Sequence, residues 1–254
     1  MNATKNFEDL VEIIRILRRE CPWDRKQTHE SIKDNLIEEA YEAVEAIDNN
    51  DPDELKKELG DLLLHVVFHS RMADEKNNFA IDDVILAIQE KLIRRHPHVF
   101  GDSEATSEKQ VAENWETIKM KEGKKSVLDG IPTHLPALIR AQRMQEKAAN
   151  VGFDWPEITQ VIEKLEEELE ELKEALQEDD PNRKEEEFGD FIFSLVNVGR
   201  FLELNAEDCL RLTNRKFEQR FRHIEERVNE SDRKIGDFTL NELDDFWTEA
   251  KRSE

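Results

Sequence analysis

Apolar residues recur every three to four positions along almost the whole chain. Leu10, Ile13, Ile14 and Leu17 do so in one stretch, and Leu165, Leu169, Leu172 and Leu176 in another. That period draws one apolar stripe along a helix. No convincing run alternates apolar and polar residues as a strand would. The pattern predicts an all-α chain. It breaks at Lys119 to Pro136, KMKEGKKSVLDGIPTHLP, which holds two Gly, two Pro and a cluster of Lys. Such a stretch predicts a linker, with helical units at 1–118 and 137–254 on either side.

The two units are copies. Leu36 to Leu63, LIEEAYEAVEAIDNNDPDELKKELGDLL, aligns without a gap on Leu165 to Ile192, LEEELEELKEALQEDDPNRKEEEFGDFI. Glu38, Glu39, Glu42, Glu58, Gly60 and Asp61 fall on Glu167, Glu168, Glu171, Glu187, Gly189 and Asp190. With one extra residue upstream, CPWD (Cys21 to Asp24) falls near VGFD (Val151 to Asp154). A repeat this long marks a duplicated domain rather than a solenoid.

Each copy carries an Asp-Pro pair, Asp51-Pro52 and Asp180-Pro181. Asp is a favoured N-cap and Pro suits the first helical position, so a helix should begin at each. Each copy then forms a helical hairpin with its turn near Asn50 or Asp179. Residues equally far from such a turn sit side by side. Glu39 should face Asp61 and Glu42 should face Glu58. Glu168 should face Asp190, and Glu171 should face Glu187, one helical turn along. Four carboxylates thus converge from two helices, twice.

Charge tempers that conclusion. Asp and Glu number 60 against 37 Lys and Arg, a formal net charge of −23. In so acidic a chain a run of carboxylates is usually a solvated face. The helix at Ile158 to Leu176 also carries an apolar seam suited to an ordinary coiled-coil-like hairpin, with Glu168 bordering it. Two features favour a metal site. The spacing recurs with the same mid-helix glycine, at a cost of about 0.5–1 kcal/mol relative to alanine. Asp61 and Asp190 also lead directly into LLLHVVF and FIFSLV, runs too apolar for a water-facing helix.

All-oxygen carboxylate ligands suit Mg²⁺, or Mn²⁺, often held together with substrate phosphates. A di-iron bundle would need Glu-x-x-His, which is absent from the chain. His65 and His69 follow Asp61 at helical spacing, but Ser194 and Val198 replace them in the second copy, so packing or hydrogen bonding is their expected role. The acidity argues against general nucleic-acid binding, which needs basic faces. Cys21 and Cys209 make neither a disulfide framework nor a zinc motif. No run reaches membrane-spanning length and none resembles a signal peptide. The expectation is a soluble protein of a reducing cytoplasm.

EExxE followed after fifteen residues by ExxD resembles the MazG family of nucleoside triphosphate pyrophosphohydrolases. So do CPWDRKQTHES and RRHPHVFGD in the first half, and ANVGFDW and KFEQRFRHIE in the second. The likeness runs from about Phe7 to Lys251 and implies tandem MazG-like helical-bundle domains. It further implies a usually dimeric enzyme that, with Mg²⁺, splits a nucleoside triphosphate into monophosphate and pyrophosphate. The resemblance places metal ligands at Glu168, Glu171, Glu187 and Asp190. Lys164, Glu167 and Glu186 would line the same pocket, Lys216 and Arg220 would reach the phosphates, and Trp247 and Lys251 would lie near the nucleotide.

The family's better-known two-domain members use the C-terminal copy for catalysis. Here the N-terminal copy also keeps its acids, Glu39, Glu42, Glu58 and Asp61 among them, as a second candidate metal set. Lys91 and Arg95 align with Lys216 and Arg220, but Pro97 should end their helix early. From the residues alone, Lys216 and Arg220 read first as solvated cations pairing with Glu neighbours, and Trp247 as a core aromatic. The competing function is a duplicated helical scaffold that dimerises through its hairpins and binds divalent ions only structurally.

Overall fold

The computed structural model describes residues 2–107, 110–111, 114–115, 118, 125–231 and 233–253. Residues 119–124 of the expected linker lie outside them. The chain divides into two compact units, Met1–Glu104 and Ala105–Glu254. Among the described residues there is no strand.

The first unit contains α1 (Phe7–Glu20), α2 (Lys33–Asp48), α3 (Pro52–Asp74), α4 (Ile81–Arg95) and the single turn α5 (Pro97–Phe100). α2 and α3 form the first hairpin, and α1 and α4 pack on α3. The turn passes through Asn50 at φ 52°, a left-handed conformation that Asn tolerates better than most residues. Asp51 then caps α3, its Oδ1 accepting from the amides of Asp53 at 3.1 Å and Glu54 at 3.0 Å. Such a cap is worth about 1 kcal/mol. Behind the hairpin, Ile14, Ile32, Val67, Phe68 and Met72 close a hydrophobic core. Each such side chain, fully buried, contributes about 1.5–3 kcal/mol.

The second unit repeats the plan with α6 (Ala137–Ala149), α7 (Ile158–Ala175) and α8 (Pro181–Phe201). α9 (Ala206–Asn229) and α10 (Leu240–Arg252) pack on each other, and α9 also touches α6 and α8. Asp180 caps α8 as Asp51 caps α3, accepting from the amides of Asn182 at 3.0 Å and Arg183 at 3.4 Å.

The hairpin buries a different face of α7 from the one its leucines suggest. Val161, Glu168 and Ala175, spaced seven apart, are buried against the rest of the unit. Leu169 and Leu176 are exposed, as are Phe188, Phe193 and Leu195 of α8. Glu168 thus lies within the buried stripe rather than beside it. Small and carboxylate side chains take the buried stripe, and the bulky apolar residues are left uncovered by the described residues.

Candidate metal and nucleotide site

Three carboxylates of the C-terminal hairpin, Glu168, Glu171 and Glu187, each offer an oxygen within 4.8 Å of the others. In the N-terminal hairpin Glu39, Glu58 and Asp61 do the same. The trios are not the same selection from the repeat. Asp190 is exposed and stands outside its trio, lining an adjoining cavity with Lys164 and Glu168. Glu42 is likewise exposed, yet it shares a hydrogen bond with Glu39 and repels Glu58.

Electrostatics separates the copies. Lys164 Nζ lies 2.7 Å from both Glu167 and Glu168, which hold it above the usual lysine range. Arg183 Nε lies 3.6 Å from Glu187. In the first copy these positions are Asn35 and Glu54. There burial first, and then Asp61 with its fellow carboxylates, pushes the Glu39 carboxyl up to about 7. Glu58 is raised as well, by burial and then by Glu42. In the second copy Glu171 is raised, chiefly by burial and next by Glu168. Carboxylates crowded against their own repulsion are a donor set suited to a hard divalent cation.

The remaining expected residues are not all gathered here. Glu167 reaches the trio through Lys164, and Glu186 is exposed on α8. Lys216, Arg220, Trp247 and Lys251 belong to the α9–α10 pair. Arg220 lies over the Trp247 ring at 5.3 Å, and Phe217 packs on that ring at 5.2 Å. Arg220 lines a shallow pocket with His223 and Ala250. Within one chain none of these four lines the cavity beside Glu168. In the first unit α4 stops at Arg95 and His96 leaves helical geometry before Pro97, as the proline dictates. His69 Nδ1 meets His29 Nδ1 at 2.7 Å with the rings stacked at 5.0 Å, and His65 is buried.

No sequence motif singles out Gln145, Asn197 or Arg200, which line the cavity together with Asp154 of the VGFD stretch. The available signal was polarity out of place: Gln145 within an amphipathic helix, and Asn197 inside the apolar run FIFSLVNV.

The model of the MazG nucleotide pyrophosphohydrolase domain matches residues 27–100 and 157–225, one match over each hairpin. The chain belongs to the MazG family. It is 52% identical over 250 residues, 96% of this chain and 95% of the other, to the nucleoside triphosphate pyrophosphohydrolase/pyrophosphatase MazG of Thermotoga maritima. It is 42% identical over 260 residues, 100% of this chain and 99% of the other, to the nucleoside triphosphate pyrophosphohydrolase of Escherichia coli (strain K12). A crystal structure of a mazG-related protein from Thermotoga maritima, 29% identical, covers 44% of this chain and 98% of its own at a TM-score of 0.40. The MazG matches leave out α6 and α10, the elements on which Gln145 and Trp247 lie.

Proposed function

We propose that this MazG protein hydrolyses nucleoside triphosphates to monophosphate and pyrophosphate, with Mg²⁺, at the C-terminal hairpin. The observation that carries the proposal is the convergence of Glu168, Glu171 and Glu187 with Lys164 bonded to Glu168. The names of the full-length relatives point the same way. Glu168, Glu171 and Glu187 would hold the cation, with Asp190 completing the set from the cavity side. Bound there, Mg²⁺ would offset the charge of the phosphates and make water a better nucleophile. Lys164 donates to Glu168 and sets a positive charge beside the cluster. Carboxylates of the cluster orient the attacking water by hydrogen bonds and take its proton. The catalytic domain is 137–254, and the substrates are a broad set of ribo- and deoxyribonucleoside triphosphates, a range suited to nucleotide-pool housekeeping.

The exposed apolar residues Leu169, Leu176, Phe188 and Leu195 support a homodimer that covers the hairpin. A second copy would also supply the α9–α10 cations that stand apart from the trio within one chain. Arg grips phosphate oxygens with two parallel donors, a role suited to Arg220, with Lys216 one turn before it.

Incubation with ATP and Mg²⁺, with products resolved by ³¹P NMR, tests the reaction. AMP and pyrophosphate are expected, with turnover abolished by chelator and restored by Mg²⁺. ADP and orthophosphate would overturn it, and no turnover at all would leave the scaffold.

A further inference from the structure

In the first unit the loop between α1 and α2 is tied to α3 by a bond between two imidazoles. His29 Nδ1 and His69 Nδ1 face each other at 2.7 Å, with the ring planes 14° apart. We infer that this bond is an acid-sensitive latch, which holds residues 28–32 on α3 while at least one imidazole is neutral and releases them once both carry a proton. The inference stands apart from the reaction proposed for the C-terminal hairpin.

A ring nitrogen accepts a hydrogen bond only while it is unprotonated. One Nδ1 must therefore donate and the other must be bare. The bond survives in the neutral pair and in the pair with one added proton, and fails when both rings are cations. A second N–H on His69 would also lack an acceptor, because its Nε2 is buried with no hydrogen-bond partner among the described residues. Burial first, and then His29 and His65, holds His69 below the ordinary 6.5. Those two imidazoles, one from the loop and one from α3 itself, are the charges that act on His69. Asp61 acts on His65 and favours its proton. In the loop Glu30 faces His29 and Lys76. From α1 the charge at this loop is Arg18, which is already engaged with Glu75 at 2.6 Å.

What the latch holds is a small preformed turn. The amide of Thr28 donates to Ser31 Oγ at 2.9 Å, and the amide of Ser31 to Thr28 Oγ1 at 3.2 Å. Arg18 fixes the near end of the turn through the main-chain oxygen of Gln27 at 3.0 Å. At the far end come His29 and then Ile32, which is buried in the core with Ile14, Val67, Phe68 and Met72. α2 starts at the next residue, Lys33, with no side-chain cap, and it carries Glu39. Release of His29 thus loosens the start of the helix that brings Glu39 to the acidic cluster. The second copy has Val198 at the position of His69, so the latch belongs to the first unit.

Hydrogen exchange of the full chain, read by mass spectrometry against pH, tests the inference. Each opening takes up one proton, so below 6.5 the protection of the amides of 28–33 should fall roughly tenfold per pH unit, while α8 in the second unit does not follow. His69→Val, which borrows the second copy's residue, should leave the protection of 28–33 independent of pH. Protection that stays constant with pH in the wild type overturns the latch. An equal acid response in His69→Val also overturns it, by tracing the response to Glu39 and its neighbouring carboxylates. A thermal melt reports whether that variant folds. Where it does not, imidazole NMR of the wild type decides. The latch requires His29 and His69 to titrate in two separate steps, the lower one coinciding with the opening of 28–33. A single shared step near 6.5 overturns it.

Discussion

Lys164 Nζ sits 2.7 Å from Glu168 on the same helix, and the first copy has Asn35 where the second has this lysine. The cation is built into one acidic cluster and missing from the corresponding position of the other. A hydrogen bond to a charged group contributes about 1.5–3 kcal/mol, and about 1.4 kcal/mol is a factor of ten. Lys164→Ala should lower kcat/KM for ATP roughly tenfold or more, and Lys164→Arg should restore most of it. Full activity in the alanine variant would show that the pair only decorates the helix.

The copies should contribute unequally. Glu187→Gln and Asp190→Asn each remove a carboxylate from the hairpin that also has Lys164, Arg183 and the cavity. Pyrophosphate release should fall at least a hundredfold. Glu58→Gln and Asp61→Asn should cost less than tenfold, because α4 ends at Arg95 and cannot extend a cationic face past Pro97. Greater damage from the N-terminal pair would reassign the catalytic domain.

Local rules made the hairpins legible. Asp51 and Asp180 announce helix starts through chemistry confined to three residues, and the facing of Glu39 with Asp61 follows from counting outward from a turn. The buried face of α7 was not legible in this way. Its leucines mark an apolar stripe, but whether the sister helix or a second layer takes that stripe is decided by close packing at Val161 and Ala175. The cavity was hidden for a similar reason. Gln145 and Asn197 lie 52 positions apart on different helices, and only tertiary packing brings them to one wall. Arg220 reads as a phosphate ligand from a motif, yet in one chain its guanidinium rests on Trp247.

The mid-helix glycines now have a specific expectation. A Cβ on Gly60 or Gly189 would meet nothing within 4 Å in the chain itself. If only the chain mattered, alanine would stabilise the helix by about 0.5–1 kcal/mol. Gly189 lies between exposed Phe188 and Asp190, on the helix assigned to the dimer interface. Gly189→Ala should therefore weaken self-association roughly tenfold, as overpacking of about 1–3 kcal/mol implies. Sedimentation at a series of concentrations measures it, and an unchanged dimer constant removes the close approach.

Acid should loosen α10, the helix that carries Trp247. Glu242 closes a capping box with Thr239, whose amide donates to it at 2.7 Å, and pairs with Arg233 at 2.8 Å. Arg233 first, and then Thr239, draws the Glu242 carboxyl down to about 2 from an ordinary 4.5. A depressed folded pKa gives stability that is present above the ordinary value and is lost as pH falls toward the folded one. Between about pH 4.5 and 2 the wild type should lose this stability progressively, while Glu242→Gln should be less stable at pH 7 and flatter across that window. Melting temperature against pH, followed by Trp fluorescence, measures the difference.

Phe68 and Asn197 occupy matching positions of the two aligned copies, one in a filled core and one lining a cavity, and this has a consequence for how such proteins change over time. A fold that accepts either an aromatic plug or a polar-walled space at one position does not depend on that position for folding. Residues there can be exchanged while the capped hairpin and its carboxylates stay as they are. The lining of that space and the acidic hairpin are then separable features, open to independent drift in nature and to independent redesign in the laboratory.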